Sequence, residues 1–248
     1  MSYTQAPIAF FGATGGCTLA CLVRTLNAGI DARALVRTPQ KLLDLLAARG
    51  VSSAKIEKHL VVHQGNALDV EAAKQVFTVE VSLVVFGIGG FCGGPAFSPN
   101  PFRLFLTLDQ PDICGNAMTT ILTALSTTPY RPPIACISTT GLRSPVRDVP
   151  LLLVPLYHWL LAIPHKDKQR MEDVLLESGR EWVIVKPSLL QDGEGKGKVT
   201  RVGWEGEGGK PAVGSFINRK SIGEWLFEEV VQEQKREQWI GRKVTLTW

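Results

Sequence analysis

IAFFGATGGCTLACLVRTLNAGIDARALVR, residues 8–37, decides the fold. Residues 8–11 are a short β-prone apolar run, and Gly12 and Gly15 then permit torsions and close approaches that a Cβ would obstruct. Leu19, Leu22, Val23 and Leu26 recur at spacings of three and four, which predicts a helix that stops at Asn27-Ala28-Gly29. Residues 31–36 read as a second strand. Strand, glycine turn, helix and strand in that order form the opening half of a dinucleotide-binding βαβ unit.

A pyrophosphate laid against the first turn of that helix would meet free N–H groups and the positive end of the helix dipole. The expected contacts are Gly12, Ala13, Thr14, Gly15, Gly16 and Cys17, with Thr14 able to add a hydroxyl donor. The third glycine of G-x-x-G-x-x-G falls at position 18, where this chain has Thr18, so the helix is expected to sit slightly further out. Arg37 stands at the end of the second strand, where an acidic residue reads a ribose 2′-hydroxyl and a basic one a 2′-phosphate. NADP(H) is therefore expected over NAD(H), with Lys41 reinforcing the charge. The alternative for Arg37 is a solvated arginine in a loop.

The 248 residues are 45% hydrophobic, enough to bury a sizeable core in a single α/β domain. A net charge of +4, with lysines and arginines dispersed and no aromatic-basic interleaving, does not indicate nucleic acid. Cys17, Cys21, Cys92, Cys114 and Cys136 form no C-x-x-C pair and are expected to be free thiols in a reducing compartment. The N-terminus has neither a basic nor an apolar signal region, so a cytoplasmic location is expected. Residues 149–164 are almost wholly apolar but contain Pro155 and His158 and fall short of the roughly 20 residues that span a bilayer. They read as a buried helix or a pocket lid, with surface association to a membrane a minority reading.

Strand-like and helix-like segments alternate along the chain, which predicts a parallel sheet covered by helices. The third strand is placed at residues 59–63, followed by Gly65-Asn66-Ala67 and a helix over 70–77. His59 and His63 would share a face of that strand roughly 13 Å apart, too far to chelate one ion, and no metal is expected. A fourth strand, 81–86, runs into the glycine-rich stretch 87–95, whose first glycines lie on the cofactor side. A helix over 114–125 leads to a fifth strand, 134–138. Phe91, Phe97, Phe102 and Phe105 read as pocket wall or packing, and 193–209 as a mobile loop or hairpin.

With these residues in place, the chain resembles the atypical short-chain dehydrogenase/reductase group, of the NmrA-like and flavin reductase/biliverdin reductase B type. The likeness runs through Gly12-Ala13-Thr14-Gly15-Gly16, Leu35-Val36-Arg37-Thr38-Pro39, Gly65-Asn66-Ala67-Leu68-Asp69 and Ser138-Thr139-Thr140-Gly141. It continues through Lys168-Gln169-Arg170-Met171-Glu172, Val185-Lys186-Pro187-Ser188 and Ile217-Asn218-Arg219-Lys220-Ser221-Ile222-Gly223, so it covers nearly the whole chain. It implies a Rossmann-like, doubly wound, mostly parallel sheet in one domain, with a small C-terminal substrate-binding region. Substrate-side elements are expected at about 87–112, 142–165 and 190–215. It implies Asn66 and Ala67 beside the adenine, and Gly87, Ile88 and Gly89 along the cofactor. Lys168 falls near the nicotinamide ribose, Pro187, Ser188 and Leu189 fall near the nicotinamide, and Thr139 counts among the cofactor contacts.

The Tyr-x-x-x-Lys of short-chain dehydrogenases is missing: Tyr130 is followed four residues later by Ile134, and Tyr157 by Leu161. Hydride transfer also needs a proton, from a positioned acid or from water. Ser138 and Lys168 are the catalytic candidates. Ser138 and Thr139 either bond a substrate oxygen or cap a loop. Lys168 shares a helical face with Met171 and Leu175 and so turns inward, or pairs with Glu172 at the surface. The reading is an NADPH-dependent reductase of an apolar or aromatic carbonyl, enone, quinone or flavin-like acceptor. The alternatives are a non-redox cyclase or isomerase and an NADP(H)-sensing protein without turnover. The oligomeric state is left open.

Overall fold

The computed structural model describes residues 6–90, 92–96, 105–108, 110–142, 146–154, 161–193, 195 and 197–248. Phe91, Phe97, Phe102, Tyr157 and His158 lie outside these residues, as does the side chain of Phe105.

Strands β1 (Ile8–Phe11), β2 (Ala32–Val36), β3 (Leu60–Gln64) and β4 (Leu83–Phe86) belong to an eight-stranded sheet. Its other strands are β7 (Ile134–Ile137), β8 (Trp182–Pro187), β10 (Arg201–Glu205) and β12 (Arg242–Thr247). The order is β10-β12-β8-β7-β4-β1-β2-β3; every pairing is parallel except that of the edge strand β10 with β12. Chain order reverses between β1 and β4, which makes the crevice beyond their carboxyl ends the switch point where such sheets bind ligands.

The central strands are apolar on both faces because both are covered. Ile8, Phe10, Leu83, Val85, Ala135 and Ile137 point into one core layer, and Ala9, Phe11, Val84, Phe86, Ile134 and Cys136 into the other. Helices α1 (Gly16–Asn27) and α7 (Arg219–Trp225) cover the first layer. Helices α4 (Val70–Val76), α5 (Ile113–Ser126) and α6 (Ala162–Glu177) cover the second. Two further helices, α2 (Pro39–Ala48) and α3 (Ser53–His59), lie between β2 and β3.

Two expectations need correction, at His59 and at 149–164, and two further stretches gain definition. His59 closes α3 rather than opening a strand, and it bonds Asp31 Oδ1 through Nδ1 at 2.7 Å, so it shares no strand face with His63. Part of the 87–95 stretch is ordered as β5 (Cys92–Ala96), paired antiparallel with β6 (Phe105–Leu108). The 193–209 stretch contains the edge strand β10, whose backbone is satisfied along β12. In 149–164 the described part is no buried helix: Leu151 and Leu152 are exposed on a 3₁₀ turn, and α6 begins at Ala162. Among the described residues no helix is long and apolar enough to cross a membrane.

Candidate active site

The turn after β1 needs glycine at position 12 on two counts. Its φ is +78°, and an added Cβ would sit 2.7 Å from the Gly87 carbonyl, where the ends of β1 and β4 meet. Gly15 N donates to Gly12 O at 2.8 Å and closes the turn. Gly15 then serves as the N-cap of α1 with extended torsions and no side-chain bond, and the first turn carries no acidic residue. The leading amides of α1 are left to an outside acceptor, and the helix dipole favours an anion there.

Thr18 is buried beneath Gly87, and a Cβ on Gly87 would clash with the Thr18 hydroxyl. The room for Thr18 thus comes from the absent side chain at Gly87.

Arg37 follows β2, is exposed, and forms no hydrogen bond or ion pair among the described residues; Lys41 is exposed on the first turn of α2. Asn66 forms a tight turn after β3: its Oδ1 accepts from Leu68 N at 3.1 Å and its carbonyl from Asp69 N at 2.9 Å. Ala67 packs on the second core layer. After β4, Ile88 is buried and Gly89 is exposed with open space where a Cβ would stand.

Lys168 reaches this crevice from α6. Its Nζ donates to Ile137 O at 2.7 Å and Ile88 O at 2.9 Å, so one ammonium spans the carboxyl ends of β7 and β4. Met171 and Leu175 are fully buried on the same face, as their spacing predicts. The neighbouring Asp167, also buried, accepts from Cys114 N and Gly115 N, both at 2.9 Å, and caps α5. α6 is thereby fixed against α5 where Lys168 leaves it.

The alternative for Lys168, a surface pair with Glu172, does not form. Glu172 is fully buried, accepts from Ser138 Oγ at 2.5 Å and pairs with Lys243 Nζ at 2.8 Å. This also commits the proton of Ser138 to an internal carboxylate. Thr139 is half-buried and donates only weakly, to Thr140 O at 3.2 Å. Tyr130, far from this crevice, bonds the Phe77 and Val79 carbonyls.

Pro187 ends β8 and is buried, Ser188 donates its hydroxyl to Thr247 Oγ1 at 2.9 Å, and half-buried Leu189 opens β9 (Leu189–Gln191). Beside them Lys186 is wholly buried between Asp148, at 3.1 Å, and Glu205. Burial pulls its pKa down, but the two carboxylates outweigh this and hold it above the usual lysine value. Asp148 also accepts from Gly141 N, which ties the segment after β7 to the sheet. A cleft of about 840 Å³ opens there, with Val146, Val149, Val154 and Ala162 among its apolar lining and Arg147, Lys166 and Arg170 among its cations.

Of the expected residues, the structure brings Gly12–Cys17, Gly87, Ile88 and Lys168 to one crevice end; it turns the hydroxyls of Ser138 and Ser188 inward. Arg219 and Lys186, which sequence reading noted only inside matching strings, also stand at this end. The signal for Arg219 is Gly223, one helical turn on: a glycine inside a helix marks a close approach.

The profile of a family described as NAD(P)H-binding matches residues 12–233. A relative named Reductase pytE, from Aspergillus terreus, is 39% identical over 100% of both chains. Another, Oxidase pynE from Aspergillus niger, is 36% identical and covers 98% of this chain and 99% of its own. Among solved structures, a short-chain dehydrogenase/reductase from Veillonella parvula in complex with NADP aligns with a TM-score of 0.72 at 15% identity, over 98% of this chain and 94% of that one. An anaerobillin reductase, ChuY from Escherichia coli O157:H7, aligns at 0.64 and 16%, over 97% and 96%. At these identities the solved structures speak for the fold alone, but the family match and the full-length relatives go further: the chain belongs to the NAD(P)H-binding family.

Proposed function

We propose that the protein is an NADPH-dependent reductase of an apolar or aromatic small molecule bearing a carbonyl, enone, quinone or flavin-like group. The observation that carries the reading is Lys168 spanning Ile88 O and Ile137 O, which fixes a cation across the ends of β4 and β7, beside the switch point and close enough to the uncapped first turn of α1 to act on Cys17. Full-length relatives named a reductase and an oxidase support redox chemistry.

A reduced nicotinamide, when bound, supplies the hydride. The chain supplies the rest. Amides and the hydroxyl over Gly12, Ala13, Thr14, Gly15, Gly16 and Cys17 hold the phosphates, and Arg37 pairs with the 2′-phosphate. Asn66 and Ala67 flank the adenine, and Gly87, Ile88 and Gly89 let the cofactor lie close to β4. Thr139 and Lys168 orient the ribose; Pro187, Ser188 and Leu189 form the wall behind the nicotinamide. Ser138 is spent on Glu172, so it positions the end of β7, and water delivers the proton to the reduced product. The cleft beside Gly141, with its valines, is the space assigned to the acceptor.

NADPH oxidation followed across flavin, quinone and enone acceptors tests this. Turnover with at least one class is expected. Failure with all of them while NADPH binds would favour a sensing role without turnover, which the inward hydroxyl of Ser138 and the missing tyrosine motivate.

A further inference from the structure

Arg219 lies against the first turn of α1. Helix α7 runs parallel to α1, in a register set by three contacts. A Cβ on Gly223 would stand 2.6 Å from Cys17 O, so α7 comes as near to α1 as backbone allows. Further along, Arg24 Nη2 pairs with Glu224 at 2.5 Å. At the leading end, a Cβ on Gly16 would meet Arg219 Cδ at 2.5 Å and Arg219 Cβ at 3.2 Å. The stem of Arg219 therefore lies directly on the glycine of the phosphate turn.

Its guanidinium points to an exposed partner. Nη1 is 2.9 Å from Asp192 Oδ1, with Arg219 35% and Asp192 89% exposed. The preceding residue secures the same segment: Asn218 Nδ2 donates to Gly193 O at 2.8 Å while its Oδ1 caps α7 at Ser221 N. The charge of Arg219 is felt inside α1. Burial pushes the Cys17 thiol up to about 12, and Arg219 is the largest influence acting against that rise, ahead of Lys168.

We propose that Arg219 grips the cofactor pyrophosphate and that Asp192 is the exchangeable carboxylate the pyrophosphate displaces; this rests on the cofactor reading above. A guanidinium forks onto phosphate oxygens as readily as onto a carboxylate, whereas an aspartate beside a dianion is repelled. An ion pair this exposed contributes little by itself, so the exchange is cheap. The exchange releases only the Asp192 side chain, since Asn218 keeps its hold on Gly193 O.

Calorimetric titration of the full chain with NADPH and with NADH decides the matter. Arg219→Ala is expected to weaken both nucleotides by the same factor, roughly tenfold to a hundredfold for a charge-assisted contact. Asp192→Asn is expected to tighten both about two- to fivefold by removing the competitor. If the pair were only a latch, either substitution would break it and both would shift affinity in the same direction; that result overturns the proposal. A loss confined to NADPH in Arg219→Ala overturns it too, since only the 2′-phosphate differs. Should Arg219→Ala fail to fold, the exposed Asp192→Asn still decides, because unchanged or weaker binding contradicts the exchange. Wild-type protein that binds neither nucleotide sinks the cofactor reading and this inference together, whereas a same-direction shift in a binding protein sinks this inference alone.

Discussion

The hydroxyl of Thr18 fills the space that a side chain on Gly87 would need. A dinucleotide fingerprint ordinarily secures close helix-strand packing by a glycine on the helix. Here the helix carries threonine and the allowance is made on the strand side, at the first residue after β4. The hydroxyl has no hydrogen-bond partner among the described residues, so nothing but space holds it there.

Gly87→Ala is therefore expected to destabilise the protein by about 1–3 kcal/mol, the usual cost of overpacking. Thr18→Ala, which removes the clashing oxygen, is expected to recover most of that in the double variant and to be near neutral alone. Urea unfolding of the four proteins gives the coupling directly. Additive effects would mean the two residues do not share one space.

Lys186 stands fully buried between Asp148 and Glu205, at the point where β8 delivers Pro187. Lys186→Met strands two carboxylates and is expected to cost about 3–5 kcal/mol. Because the folded pKa lies above the ordinary 10.5, the contribution is fully present below 10.5, declines as pH rises from there through the folded value, and is gone above it. A denaturant midpoint for Lys186→Met equal to wild type at pH 7 would contradict this.

Lys168→Met leaves the Ile88 and Ile137 carbonyls without their shared donor and removes the cation from the crevice. NADPH affinity is expected to fall roughly tenfold or more, with Glu172→Gln leaving it nearly unchanged because Glu172 faces Lys243 and Ser138 instead. Equal losses in the two variants would indicate a general loosening of α6.

Burial raises the thiols of Cys17 and Cys21 from 9.0 to about 12 each. Between those values the unfolded chain has released protons that the folded chain still holds, so stability falls with rising pH, by up to about 1.4 kcal/mol per pH unit for each thiol. Urea midpoints measured from pH 8 to 11 are expected to decline, and Cys17→Ala/Cys21→Ala to flatten that decline. An unchanged slope in the double variant would show that other groups cause it.

The parallel sheet was legible because its strands are continuous apolar runs, and the glycine turn because Gly12 has a positive φ and no room for a side chain. The inward turn of Lys168 was legible through its spacing to Met171 and Leu175, and its place beside the cofactor only through the family resemblance. What sequence could not give was which buried charges meet. Glu172 looked like a surface partner of Lys168 because helical spacing reports neighbours on one helix, whereas its partners come from β12 and the end of β7. Arg219 is illegible for the same reason: its place depends on α7 packing against α1, two segments about two hundred residues apart. The Ser52 cap of α3, with its hydroxyl accepting from Lys55 N, was a local signal for the helix that displaced the third strand to Leu60.

The account stands on NADP(H) being the cofactor and Arg37 being the residue that selects it. Calorimetric affinities of wild-type protein and Arg37→Ser for NADPH and NADH measure that claim most directly. The account predicts that wild type prefers NADPH by roughly tenfold or more, and that Arg37→Ser loses this preference while binding NADH unchanged. Equal affinity of wild type for the two nucleotides would contradict it.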